Sequence, residues 1–196
     1  LAARKPDLSW YASSKFEGEQ SLRELAGAMP WTIFRPTAVY GPGDRELTPL
    51  FRLTRFGILP VTVSSSARFG LLYVDDLVAA ILSWLKASSV PAGVYELDDG
   101  TPGGYDQGSV AAICSEIWGR AVYILPLPVV LIRVLAQINL VAARLLGYSP
   151  MLTPGKVEEL QHPDWVCDIN PLTEALGWLP AISLREGMKQ AVLGRK

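Results

Sequence analysis

Two stretches decide how this chain is read: Trp10-Tyr11-Ala12-Ser13-Ser14-Lys15, and Arg35-Pro36-Thr37-Ala38-Val39-Tyr40-Gly41-Pro42-Gly43-Asp44. Tyr11 and Lys15 are four positions apart, a spacing that puts both on one face of a helix. An ammonium held beside a phenol favours the ionised phenol, so the pair can pass a proton near neutral pH. Carbonyl/alcohol interconversion beside a nicotinamide needs such a group. Hydride arrives at or leaves carbon while a proton arrives at or leaves oxygen. A lone Tyr-x-x-x-Lys recurs by chance. The second stretch adds weight, because a helix, then Trp31-Thr32-Ile33-Phe34-Arg35-Pro36, then a Gly/Pro loop is the order of a Rossmann-type βα unit.

With Tyr73-Val74-Asp75-Asp76-Leu77 added, the three motifs resemble the extended short-chain dehydrogenase/reductase family, also called the NAD-dependent epimerase/dehydratase family. Tyr-x-x-x-Lys, Arg-Pro-x-x-Val-Tyr-Gly-Pro and Tyr-Val-Asp-Asp-Leu stand in the family's order and at similar spacing. The resemblance covers nearly the whole chain but only the later part of the family's fold. It implies an α/β chain: the later part of an NAD(P)-binding Rossmann-like fold plus a small substrate-binding lobe, with the first βαβ dinucleotide half absent. Residues 1–100 would be the C-terminal part of the Rossmann-like domain with interleaved lobe segments. Residues 101–196 would be mostly substrate-binding lobe and closing helices.

The resemblance also assigns roles. Tyr11 becomes the acid/base, and Lys15 assists it and holds the nicotinamide ribose. Pro36, Thr37 and Val39 join them as cofactor-binding residues, forming the wall beside the nicotinamide. The cofactor is NAD or NADP. Arg68 falls where nucleotide-sugar enzymes of the family place an arginine on the diphosphate. Arg45 reads equally as a contact for an anionic substrate group or as a solvated charge, and Arg55 is a further cation for a diphosphate. Hydrophobic alcohols or ketones are the other substrate class, as in the steroid-dehydrogenase and dihydroflavonol-reductase branches. The closing region from Leu152-Thr153-Pro154 through Trp165 to Gly187 resembles those branches somewhat more.

Composition narrows the field. Of 196 residues, 49% are hydrophobic and 19% charged, so a packed core is expected and general disorder is not. A net charge of −1 argues against nucleic acid as a partner. The cysteines, Cys114 and Cys167, have no partner spacing and read as small buried hydrophobes. One histidine, His162, and no Cys/His cluster argue against a metal site. Leu1-Ala2-Ala3-Arg4-Lys5-Pro6 lacks the apolar run of a signal peptide, and a cytoplasmic location is expected. The chain does not begin with Met and starts ten residues before Tyr11, so it is expected to be a piece of a longer polypeptide. In isolation it is expected to be inactive, because it has no Gly-rich strand–turn–helix for a dinucleotide and no upstream Ser/Thr to polarise the substrate oxygen.

Local patterning predicts helices over 11–28, 47–56, 77–85, 109–118, 128–147 and 171–176, and another starting at Thr153-Pro154. Extended runs are expected at 31–34, 58–63, 68–74, 93–97, 122–125 and 165–168. Asp75 is expected to cap the third helix. Ser183 with Glu186 forms a capping box. The stretch Leu125–Leu146 is as long as a membrane span, yet Arg133, Gln137 and Arg144 share one helical face. It reads as an amphipathic helix whose apolar face the rest of the protein covers first, with a partner or lipid as lesser alternatives. A homodimer of the longer protein stays open. Peripheral membrane contact is not the favoured reading. A second class of function is a structural or assembly subunit of the same fold that docks through residues 128–147.

Overall fold

The computed structural model describes residues 10–62, 66–148, 150 and 152–194. Its elements, in chain order, are α1 (Trp10–Leu25), β1 (Thr32–Pro36), β2 (Ala38–Tyr40), α2 (Leu47–Leu53), β3 (Ile58–Val61), β4 (Arg68–Phe69), β5 (Leu71–Tyr73) and α3 (Val74–Lys86). They continue with β6 (Gly93–Leu97), α4 (Gln107–Trp118), β7 (Tyr123–Pro126), α5 (Val129–Leu146), α6 (Pro154–Leu160), β8 (Asp164–Trp165), α7 (Asn170–Leu176) and α8 (Leu184–Leu193). Three strand pairs are parallel: β1 with β6, β2 with β5, and β4 with β8. β3 neighbours β7. Parallel pairing requires long crossovers, and α3 supplies part of the one between β1 and β6. The α/β class expected from the sequence is therefore present.

The chain forms two compact units. One contains α1 and the segment Pro126–His162; the other contains Pro30–Val61, the stretch up to Leu125, and everything from Pro163 onward.

The larger unit is built on β5, whose three residues are each no more than 3% exposed. Side chains alternate across a strand, so Leu71 and Tyr73 enter one core with Tyr40, Phe51, Leu184 and Met188. Leu72 enters the opposite core with Ala80, Leu97, Leu172 and Trp178. A strand buried on both faces reads as a continuous apolar run, which is why Leu71-Leu72-Tyr73 shows no polar alternation.

α3 begins at Val74, earlier than the expected Leu77, and its N-cap position is Tyr73, with no side-chain cap. Asp75 therefore does not cap it; both aspartates lie in its first turn. Asp76 reaches away instead. Its carboxylate, in a residue 3% exposed, accepts from the backbone N–H groups of Ala181 and Ile182, each at 3.0 Å. Its carbonyl accepts from Trp178 Nε1 at 3.2 Å.

Two other expectations shift as well. α4 starts two residues before Ser109, because Asp106 and Ser109 form a reciprocal capping box there. The Ser183–Glu186 box on α8 and the Thr153 cap with Pro154 on α6 are present as expected. Cys114 is buried, but Cys167 is only half-buried. Desolvation, with Glu96 and Asp98 nearby, pushes the Cys167 thiol up to about 12.

In the smaller unit, Ile132 and Ala136 of α5 pack on Val157 of α6. Arg133 pairs with Glu158 at 2.7 Å, and Asn139 Nδ2 donates to the Leu152 carbonyl at 2.9 Å. Among the described residues the apolar face of α5 is not covered: Val130, Leu131, Val134, Leu135, Ile138 and Leu145 are all exposed. Ile132, Ala136 and Ala143 are the buried residues of the helix, and Val129 packs on the same cluster as Ile132 and Ala136.

Tyr40 carries a specific cost. Its ring meets Phe51 and Tyr73 edge-on, at centroid distances of 5.7 and 5.5 Å. Its hydroxyl is buried with no hydrogen-bond partner among the described residues, and burial pushes the phenol well above its ordinary range. Gly187 of α8 lies against it, and any Cβ there would collide with that hydroxyl. Tyr40→Phe is therefore expected to leave stability unchanged or raise it by up to about 1 kcal/mol, because an unsatisfied buried hydroxyl is removed. Gly187→Ala is expected to cost about 1–3 kcal/mol through overpacking. Urea unfolding midpoints of the two variants check both signs.

Candidate active site

α1 brings Tyr11 and Lys15 together as their spacing predicts. Lys15 Nζ lies 5.3 Å from the centroid of the Tyr11 ring, within cation–π range. Tyr11 is 66% exposed and Lys15 is exposed, so both functional groups are open to a ligand. The helix is held locally. Ser14 Oγ donates to the Tyr11 carbonyl at 2.8 Å, and Glu19 pairs with Arg23 at 3.0 Å one turn on.

The other sequence-predicted residues lie in the larger unit; of these, Pro36 and Thr37 stand at the carboxyl end of parallel strand β1, the kind of place where open α/β folds bind ligands. Pro36 closes β1 opposite Leu97 and is exposed. Thr37 is tied to the end of β6: its N–H donates to the Leu97 carbonyl at 2.9 Å and its hydroxyl to the same oxygen at 3.3 Å. Val39 sits in β2 opposite Leu72 and packs on the second core. Gly70 stands between these strand ends; a Cβ on it would lie 2.6 Å from Asp98 Oδ2 and 3.0 Å from Thr37 Cγ2. Thr37, Gly70 and Asp98 therefore converge on one spot.

Arg45 is exposed. Arg68, by contrast, has its guanidinium engaged: Nη1 lies 3.2 Å from Asp106 Oδ2, with both side chains partly solvated.

Sequence reading took Asp98-Asp99-Gly100 for a plain turn and missed an acidic network. Asp98 is 2% exposed and accepts from the N–H groups of Gly100 at 2.8 Å and Cys167 at 3.3 Å. Burial is the larger influence on it and holds its carboxyl above the usual range. Asp99 accepts from Tyr105 Oη at 2.5 Å and from the Thr101 N–H at 3.1 Å. Burial, with that carboxylate beside it, raises the Tyr105 phenol above its ordinary range. Two adjacent aspartates directly after a five-residue strand that ends on buried Leu97 were the available signal, since a strand end near a core is where a carboxylate can be buried against backbone donors.

A dinucleotide's fit to this chain can be tested at the turns between strand and helix. Two of them contain glycine: Gly41-Pro42-Gly43-Asp44 before α2, and Gly100 to Gly104 before α4. A pyrophosphate needs free N–H groups at such a helix start. At α2 they are taken by the chain's own Asp44, which accepts from Glu46 and Leu47 at 2.9 Å and from Thr48 at 2.6 Å. At α4, Asp106 accepts from Ser109 at 2.7 Å. A carboxylate already stands where phosphate oxygens would sit, so neither turn fits the pyrophosphate. The open phenol and ammonium on α1 do fit the other end of the cofactor, the ribose hydroxyls beside nicotinamide.

Short parallel strands, helical crossovers and a Tyr–Lys pair on an open helical face define part of a Rossmann-like α/β protein. The model of the NAD dependent epimerase/dehydratase family matches residues 2–97 of the chain. The chain is 32% identical to a ceramide reductase of Caulobacter vibrioides over 90% of this chain and 54% of that protein. It is 30% identical to a UDP-glucose 4-epimerase of Vibrio cholerae over 92% of this chain and 52% of that one. Among solved structures it resembles the UDP-glucuronic acid 4-epimerase of Bacillus cereus, determined with UDP-glucuronic acid and NAD. That match has a TM-score of 0.67 and 18% identity, and covers 95% of this chain and 52% of the other. RMD from Pseudomonas aeruginosa, determined with NADPH, matches with a TM-score of 0.65 and 16% identity over 94% of this chain and 54% of that one. These structures share its fold. The chain spans about half the length of the curated relatives it matches.

The carboxylates of this unit set a pH dependence with two signs. Backbone and hydroxyl hydrogen bonds from Ser109 hold Asp106 below the usual carboxylate range, and the Ser183 hydroxyl and N–H do the same for Glu186. For groups lowered in the folded state, the stabilisation is complete above their unfolded pKa and is lost as pH falls through the folded one. Asp98 is raised, so its contribution runs the other way: folding loses stability as pH rises from its unfolded to its folded pKa. Melting temperatures between about pH 7 and pH 3 should therefore fall with acid less steeply in an Asp106→Asn, Glu186→Gln double variant than in the parent chain. Asp98→Asn should steepen the same acid limb.

Proposed function

We propose that this chain supplies the acid/base half of an NAD(P)-dependent oxidoreductase, epimerase or dehydratase. Tyr11 is the acid/base and Lys15 assists it. The observation that carries this reading is the exposed phenol with an ammonium 5.3 Å from its ring centroid, one helical turn along α1. NAD or NADP, when bound, supplies or accepts the hydride. During reduction Tyr11 Oη gives its proton to the substrate oxygen, and the Lys15 ammonium stabilises the phenolate left behind. In the oxidative direction Oη takes the hydroxyl proton. Lys15 also holds the nicotinamide ribose through its N–H donors, and Pro36, Thr37 and Val39 line the apolar side of the ring.

Two substrate classes stay within this proposal, a nucleotide sugar and a hydrophobic alcohol or ketone. The first has the Vibrio epimerase and the exposed Arg45 on its side. The second has the Caulobacter ceramide reductase and the engagement of Arg68 by Asp106, which leaves that guanidinium less able to meet a diphosphate. We favour the hydrophobic carbonyl. An uncovered apolar row on α3, Val78, Ile81, Leu82 and Leu85, supports a longer protein that packs more structure against this unit. The other class of function, a non-catalytic subunit docking through 128–147, draws its support from the bare apolar face of α5.

Tyr11→Phe in the longer protein separates the two classes. The enzyme reading expects kcat to fall by about 10²–10⁴ with little change in substrate affinity; an unchanged rate favours the subunit. Isothermal titration of the chain by itself with NAD and with NADP should show no micromolar binding, since Asp44 and Asp106 occupy the helix starts that a pyrophosphate would use. Micromolar affinity for either would overturn that part of the proposal.

A further inference from the structure

The surface of α5 divides into three sectors. Ile132, Ala136 and Ala143 form the packed stripe. Arg133, Gln137 and Arg144 follow each other down one flank, at positions spaced four and seven along the helix. The rest is a broad exposed face of Val130, Leu131, Val134, Ile138, Val141 and Leu145 with no polar residue in it. The helix runs Val129–Leu146 with a mean hydropathy of 1.9, and 17% of it is buried. It contains no acidic residue and two arginines. Exposed Tyr148 stands just beyond its C-terminal end.

We propose that α5 is a membrane-surface helix that lies in the plane of an anionic bilayer. The charge pattern selects this occupant. At the edge of an unbroken apolar face, the Arg144 guanidinium stands at the level of lipid phosphates while the apolar side chains enter the acyl boundary; Arg133, on the same flank, is held by Glu158. Tyr148 at the helix end suits the headgroup zone. A transverse orientation is disfavoured by the helix's own partners. α6 is fastened to it through Val157 and the Arg133–Glu158 pair, and Asn139 holds the Leu152 carbonyl. Crossing the bilayer would carry Lys156, Glu158 and Glu159 toward the hydrocarbon. Lying flat keeps α6 on the aqueous side.

Flotation with vesicles tests the proposal, using the 196-residue chain. The vesicles are phosphatidylcholine alone, and phosphatidylcholine with phosphatidylglycerol. The protein is expected to float with the anionic vesicles and much less with the neutral ones. Val134→Asp with Ile138→Asp is expected to weaken binding by about tenfold or more, because two apolar side chains no longer enter the bilayer. Arg144→Gln should weaken binding to the anionic vesicles only. A probe that does not depend on the charged variants folding is an environment-sensitive fluorophore at Ile138→Cys, in a Cys167→Ser background. Its emission should shift to the blue on anionic vesicles. Absence of flotation with either lipid, an unshifted probe, or equal binding by the Val134/Ile138 variant overturns the proposal. So does light scattering that shows a dimer abolished by the same two substitutions while vesicles are not bound, which would assign the face to a second copy.

Discussion

The buried carboxylate of Asp76 is the interaction on which the larger unit depends. It leaves the first turn of α3 and satisfies the N–H groups of Ala181 and Ile182, just before the capped start of α8. A carboxylate with so little exposure is tolerable only if donors surround it. Here those donors belong to a segment more than a hundred positions away, so the bond joins the end of β5 to the chain's last helix. With that segment fixed, α8 can lay Leu184 and Met188 into the core beside Leu71 and Tyr73. Gly187 lets the same helix approach Tyr40 closely. The strand ends that carry Thr37, Gly70 and Asp98 are consequently held from below by a packed layer.

A second theme is that this unit fills its own helix starts with carboxylates. Asp44 at α2 and Asp106 at α4 stabilise the helices they begin, and the same placement removes two positions where an external anion could have been held. The opposite choice is made on α1, where Tyr11 and Lys15 are left open. The larger unit thus uses these carboxylates for internal order, while Tyr11 and Lys15 on the smaller one stay exposed.

How much of this could be read beforehand depends on the range of the interaction involved. The Tyr11–Lys15 approach follows from helical spacing alone, and the structure has it. So do the Ser183–Glu186 box, the Thr153 cap, and the placing of Arg133, Gln137 and Arg144 along one flank of α5. Asp75 and Asp76 show the limit. A pattern of aspartates before an apolar run suggests a cap, but Asp76 has better donors in the distant 181–182 backbone, and Asp75 merely sits in the first turn. Arg68 reads as a free cation in sequence and is engaged by Asp106 in three dimensions. Asp98 and Asp99 look like a surface turn, and become a buried network only because Cys167 and Tyr105 are brought to them.

The face of α5 is the other instructive difference. Its apolar residues at nearly every position imply burial, since exposed area of that kind is costly. Whether neighbours exist to cover it is a property of the whole assembly, and among the described residues they bury Ile132, Ala136 and Ala143. What the amino-acid order determined by itself was local: helix faces, caps, strand ends and the Tyr–Lys pair, all set by steric and hydrogen-bonding preferences within a few residues. What the tertiary structure alone decided was which carboxylates are buried, which cations are engaged and which apolar face stays bare. Those outcomes depend on donors and surfaces contributed from far along the chain, and no short-range pattern encodes them.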